Sequence, residues 1–238
     1  MTSSSHLDPL FKYRHFDRQI IVLCVRWYVS YKLSYQDLVE MMAERGVELS
    51  HTTVLRWVQH FMPEFEKRWM RFARPVGKSW RVDETYIRIQ GRWHYLYRAV
   101  DKRGRTVDFR LSEHRDIDAA RAFFRKALAT AGAPMRVTLD GHWPSHRALF
   151  LLRRENRIWR RVKVRTCAYL NNIVEQDHRA IKARAGPMLG FKTFANAART
   201  IAGIELIHRI RKGQFMLVRR PGPTPRLPTG VAWNLALA

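Results

Sequence analysis

Trp80-Arg81-Val82-Asp83-Glu84-Thr85-Tyr86-Ile87-Arg88-Ile89 lies about a third of the way along a 238-residue chain. Its β-branched and aromatic residues, with charges interspersed, predict a β-strand. Asp83 stands inside that strand among Trp80, Val82, Ile87 and Ile89. An unpaired carboxylate in such surroundings costs several kcal/mol, so it calls for a cation.

Outward from this strand, residues 92–101 and 105–111 are equally β-rich, and the links Gln90-Gly91 and Lys102-Arg103-Gly104 are short and glycine-bearing. Two successive hairpins, and hence an antiparallel three-strand meander, are expected. Residues 116–130 return to helical spacing with Ile117, Ala120, Phe124 and Leu128 on one face, ended by Gly132-Ala133-Pro134. A fourth strand, 135–139, ends at Asp140-Gly141; a helix over 144–154 and a fifth strand over 159–165 follow. Asn171 or Asn172 caps the next helix, on which Glu175, Arg179 and Lys182 share a face at i, i+4 and i+7. Thr193 caps a last long helix to Lys212, stopped by Gly213. The order β-β-β-α-β-α-β-α describes a mixed α/β sheet with helices, and by analogy it is the order of the ribonuclease H-like fold.

Before the linker the texture is helical. Residues 17–30 predict one buried helix, and Ser34 caps a second that Gly46 stops. Ser50 caps a third from His51 to about Phe61, with Val54, Trp57, Val58 and Phe61 inward. Two short helices around a glycine turn make a helix-turn-helix pattern. In that pattern His51, Thr52, Thr53 and Arg56 are exposed at the front of the recognition helix, where side chains meet base edges. An ordinary helical hairpin is the plainer alternative. Arg74-Pro75-Val76-Gly77 marks a boundary. The expected division is an N-terminal arm (1–16), a helix-turn-helix domain (17–73), a linker (74–79), a catalytic domain (80–213) and a Pro-rich tail (214–238). Residues 221–228 suit neither helix nor central strand, and 231–237 receive no assignment.

Forty-four Lys+Arg against 20 Asp+Glu leave a net charge of +24, with a pI near 11.1. Such an excess needs a polyanion, and nucleic acid fits best. A membrane surface is the competing polyanion, but neither a basic amphipathic helix nor a lipidation signal is present. The apolar run at 20–25 is too short to span a bilayer, and 1–16 lacks a signal-peptide core, so a cytoplasmic protein is expected. Cys24 and Cys167 form no paired motif, which argues against zinc and disulfides.

Three acids are candidates for chemistry: Asp83, Asp140 at a strand end, and Glu175 at a helix start. Mg²⁺ prefers a few carboxylate oxygens and leaves positions for water and phosphate. Two such ions suit an in-line displacement at phosphorus. Two of these acids also have a plainer reading. Asp83 pairs with Arg81 or Arg88; Glu175 completes a capping box with Asn172. Glu84 rivals Asp83 but is expected on the opposite face. His142 and His178 lie near the acids and are left out of the metal set.

The stretches W-R-V-D-E-T-Y (80–86), G-R-W-H-Y-L-Y-R-A-V-D-K-R-G-R-T-V-D-F (91–109), Asp140, Y-L-N-N-I-V-E-Q-D-H-R-A-I-K (169–182) and G-F-K-T-F (190–194) resemble the insertion-sequence-six family of bacterial DDE transposases. Upstream, F-K-Y-R-H-F (11–16), R-W-Y (26–28) and H-T-T-V-L-R-W-V (51–58) are similar to it as well, so the likeness covers about 11–215. The resemblance implies that Asp83, Asp140 and Glu175 bind two Mg²⁺ ions, with Mn²⁺ as a substitute. It gives Lys182 a role in catalysis and DNA contact, with Arg179 beside it. Its implied partners are double-stranded DNA, as terminal inverted repeats and target, and further copies of the chain in a homodimer or larger assembly; no membrane or small-molecule substrate is implied. The implied reaction exposes a 3′-hydroxyl and joins it to target DNA. A DNA-binding regulator using the helices alone, or a ribonuclease H-like nuclease that cleaves without joining, are the rival readings.

Overall fold

Asp17 accepts the Gln19 amide (2.6 Å) and starts helix α1 (Arg18–Ser30). Ser34 and Asp37 cap each other reciprocally at the start of α2 (Tyr35–Ala43), a capping box that satisfies two otherwise unpaired donors. Gly46, at φ +70°, makes the turn into α3 (His51–Met70), capped by Ser50. The computed structural model describes residues 8–167, 172–185, 191–217 and 227–237; the cap of α7, residues 186–190 and most of the Pro-rich stretch lie outside them.

The third helix does not end near Phe61. It runs through Pro63 to Met70. Proline inside a helix costs about 3 kcal/mol. Full burial of Phe65 and Trp69 beyond it returns about 1.5–3 kcal/mol each, enough to carry the helix through. The segment before α1 is also no loose arm over its described part. Phe11 stacks on Phe61 (5.1 Å between centroids), and Asp8 accepts from Arg68 Nη2 at 2.8 Å.

After the linker come β1 (Ser79–Ile89), β2 (Arg92–Asp101) and β3 (Thr106–Ser112), then α4 (Ile117–Ala131), β4 (Arg136–Leu139), α5 (Trp143–Glu155), α6 (Arg157–Arg160) and β5 (Lys163–Thr166). Helices α7 (Asn172–Ala185), α8 (Phe194–Arg211) and α9 (Thr229–Leu237) complete the chain. The sheet order is β3-β2-β1-β4-β5. The first three strands pair antiparallel, while β4 and β5 run parallel to β1. This is the mixed α/β, ribonuclease H-like arrangement, with helices before the sheet. The fifth strand is shorter than 159–165, because Asn156 caps a one-turn helix that buries Trp159.

Alternation along the strands sorts side chains onto two faces. Trp80, Val82, Tyr97 and Ala99 pack under α4 and α5. Ile87, Ile89 and Leu96 pack with Ile181 of α7 and with Ala197, Ile201 and Ile204 of α8. The second half of α8 (Leu206, Ile207, Ile210) joins the core of α1–α3, so one helix ties the sheet to the helical region. Close approach requires Gly203, where a Cβ would meet Val29 Cγ1 at 2.6 Å. Helix α9, over residues the sequence leaves unassigned, lies in the same core, with Trp233 edge-on to Phe65 at 5.7 Å.

Candidate active site

Strands β1 and β4 run side by side only from Ser79↔Arg136 to Arg81↔Thr138. Two residues further along each parallel strand stand Asp83 and Asp140, so the register itself delivers both carboxylates to one place. Their oxygens and one of Glu84 lie within 4.8 Å of each other. Asp140 follows the strand end, where its Oδ1 accepts the His142 amide (3.0 Å) and its carbonyl meets His146 Nε2 (2.7 Å).

The arginine reading of Asp83 is not what forms. Among the described residues its partner at ion-pair distance is His178 Nε2, 3.5 Å from Oδ2. His178 is held below the usual imidazole range, first by burial and against the pull of Asp83, so the ring tends to be neutral.

Glu84 corrects the expectation that it would point away from the cluster. Its backbone does face the α4 side, opposite Tyr97. Because β4 has ended there, its carboxylate still reaches the other two acids. Arg115 donates to it from Nε (2.9 Å) and also donates to the Tyr86 hydroxyl (2.9 Å). His142 Nδ1 lies 2.7 Å from the same Glu84 oxygen. Burial pushes Glu84 up to about 7, Arg115 opposes the shift, and Asp140 and Asp83 add to it. A carboxylate already committed to a guanidinium is a poorer ligand than Asp83 or Asp140, which have no Lys or Arg at ion-pair distance among the described residues.

Glu175 does not join this set. It is exposed in the first turn of α7, three residues before His178, which touches Asp83. Three helical residues rise about 4.5 Å. Arg179 and Lys182 are exposed as well, as their shared spacing with Glu175 requires.

What presses α7 onto the sheet is a buried charge cluster that no local sequence pattern announces. Arg98, fully buried opposite Asp83 in β2, contacts Asp177 at 3.1 Å and also Glu205. Lys212 Nζ bonds Asp177 at 2.6 Å. Burial draws Arg98 down to about 10, against the pull of Asp177.

In the helical region His51, Thr52 and Arg56 are exposed and Thr53 is half-buried. The hydroxyls of Thr52 and Thr53 each lie 2.8 Å from the Ser50 hydroxyl. Arg14 reaches His60 at 3.0 Å, so Arg14 and Arg56 border one groove beside α3. Around β5, Arg154, Arg157, Arg160, Arg161, Lys163 and Arg165 are exposed.

The donor set fits a hard divalent cation. Three carboxylates converge, two of them with no Lys or Arg at ion-pair distance among the described residues, and oxygen ligands of this kind suit Mg²⁺ or Mn²⁺. Among the described residues no helix is long and apolar enough to cross a membrane.

Comparison with known proteins agrees with this geometry. A DDE domain family matches residues 77–214, the whole of the sheet region. The transposase for insertion sequence-like element IS431mec of Staphylococcus aureus is 37% identical over 207 residues, covering 85% of this chain and 88% of its own length. The transposase for insertion sequence element IS257 in transposon Tn4003, also from Staphylococcus aureus, gives the same figures. Among solved structures, the HTLV-2 integrase catalytic core domain superposes with a TM-score of 0.40 at 17% identity, over 48% of this chain and 74% of that one. The BIV integrase core gives 0.42 at 14% identity, over 66% and 94%. Those likenesses are loose, and the fold rests instead on strand order and direction. Identity spread along most of both chains, together with aspartates brought side by side by two parallel strands, carries the conclusion: this chain belongs to the DDE-domain family and is a relative of the IS431mec and IS257 insertion-sequence transposases.

Proposed function

We propose that the protein is the transposase of an insertion-sequence-six type element, acting in the bacterial cytoplasm on nucleoid DNA. It binds the terminal inverted repeats, cuts to free a 3′-hydroxyl and joins that end to target DNA. The observation that carries this reading is the pairing of Asp83 with Asp140, backed by relatives matched over most of their length.

Asp83 and Asp140 supply the fixed oxygens, and Glu175 completes the set from α7. Two Mg²⁺ ions held there would lower the charge barrier to attack at phosphorus and favour departure of the leaving oxygen. Glu84, engaged by Arg115 and His142, stands beside the aspartates without binding metal itself. His178, neutral against Asp83, leaves that carboxylate's charge available. Arg179 and Lys182, one and two turns beyond Glu175, hold phosphates beside the reacting bond. His51, Thr52, Thr53 and Arg56 read the repeat, and the arginines around β5 neutralise backbone, so binding weakens steeply with salt. Two element ends must meet, which requires at least a homodimer.

Labelled end-repeat DNA with Mg²⁺ tests the reading. Wild type should yield joined product, while Glu175→Ala should bind DNA and join none. Equal joining by both would remove Glu175 from the site. Cleavage without joining would point to a nuclease, and DNA binding unaffected by Asp83→Ala without any cleavage would point to a regulator.

A further inference from the structure

Among the described residues, no strand of the main sheet covers that edge of β1 beyond Arg81, until the isolated bridge from Ile89 to Phe191 closes it. The open edge floors a groove of about 660 Å³, inside the range of ligand sites. Tyr86, Arg88, Trp93 and Tyr95 of the β1–β2 hairpin form one wall, and Lys182 of α7 stands on the other.

The hairpin wall is aromatic and open to solvent. Trp93 is 59% exposed and Tyr86 42%. Tyr86 lies edge-on to Trp93 (6.1 Å) and to Tyr95 (5.4 Å), with the Arg88 guanidinium 5.8 Å from the Trp93 ring. Single exposed aromatics need no explanation, but a cluster flanked by cations does. Among the described lining residues there is no acid. Nor is the groove remote from the site: Tyr86 is three residues from Asp83, about 10 Å along a strand. Its hydroxyl also binds the arginine that holds Glu84.

Rings with cations on both sides match one ligand chemistry, flat π-faces joined by phosphates. Paired bases inside a duplex hide those faces; only unpaired nucleotides present them. A second copy of this chain is the competing occupant, but a two-fold contact through this groove would set Arg88 and Lys182 against the same two cations, and like charges repel.

We infer that this groove binds unpaired nucleotides of DNA, stacked on Trp93 and Tyr86 with their phosphates toward Arg88 and Lys182, where a frayed duplex end leads away from the acid cluster. The inference rests on the proposed function for its DNA substrate, but not on catalysis.

The test is fluorescence anisotropy in EDTA, with labelled blunt duplex compared with the same duplex carrying three unpaired thymidines at the 3′ or the 5′ end. Wild type should prefer one overhang by about tenfold or more. Trp93→Ala should lose that preference while binding blunt duplex as before, which also shows that it has folded. Trp93→Phe should retain part of it. Equal wild-type affinity for blunt and overhanging DNA, or a preference that survives Trp93→Ala, overturns the groove assignment and leaves the transposase reading standing. No binding of either DNA overturns both. Self-association that Trp93→Ala abolishes, with no overhang preference, gives the groove to a second copy.

Discussion

Replacing Arg98 with methionine tests how the site is held together. Arg98 is fully buried and contacts both Asp177 and Glu205. Asp177 would keep Lys212 at 2.6 Å. Glu205 would keep nothing: it is fully buried, and Arg98 is its ion-pair partner among the described residues. The variant therefore strands one buried carboxylate, which costs about 3–5 kcal/mol. Against a total stability of about 5–15 kcal/mol that is a large share. At about 2–4 °C per kcal/mol for a chain of this size, Tm should fall by roughly 10 °C. Removing the stranded charge as well, in Arg98→Met with Glu205→Leu, should recover most of the loss, because a well-packed apolar pair can match or exceed a buried ion pair. Urea unfolding followed by circular dichroism measures both. A single variant within 1 kcal/mol of wild type, or a double variant no better than the single, would refute the claim that this cluster clamps α7 to the sheet.

Gly203→Ala should destabilise the protein by about 1–3 kcal/mol, since its Cβ would meet the stiff Val29 side chain at 2.6 Å; the same unfolding curves read it. His208 is drawn down to about 4, first by burial and then by Lys212. A depressed histidine contributes stability that is complete above pH 6.5 and is lost as pH falls toward 4. Relative to His208→Gln, wild type should therefore lose about 3 kcal/mol between pH 7 and 4, and parallel stability profiles for the two would contradict this. Asp140→Asn keeps the acceptor for the His142 amide but removes one of the negative charges crowded there. In EDTA it should melt about 3 °C higher, for about 1 kcal/mol of relieved repulsion, and it should lose the rise in Tm that Mg²⁺ gives wild type.

Much of this architecture follows from short-range signals. Gln90 and Gly91 both adopt positive φ (+50° and +75°), and Gly104 does so at +74°, as tight hairpins demand, so the meander is written into the glycines. The caps Ser34, Ser50 and Thr193 likewise sit where the sequence places them. Where the sequence misleads, distant burial overrides a local rule. Pro63 ends a helix only if nothing beyond it is buried. Asn156 turns the start of a supposed strand into a helical turn around Trp159. Arg98 sits in Y-L-Y-R-A-V, where nothing nearby says that its partners come from positions 177 and 205. Alternation separates Glu84 from Asp83, a rule that fails once the neighbouring strand has ended. An acid immediately after Asp83, two residues before an exposed tyrosine, was the available signal. Trp233 and its helix follow a Pro-rich stretch with no pattern linking them back to α3.

Manganese binding followed by electron paramagnetic resonance addresses the shared-cation claim without recourse to activity. Titration of wild type should show bound Mn²⁺ that Mg²⁺ displaces. Asp83→Asn and Asp140→Asn should each abolish that signal, and Glu175→Gln should lower the number of ions held. Undiminished binding in the Asp83 and Asp140 variants would mean that these carboxylates hold no common ion, and the metal-dependent account of the site would be wrong.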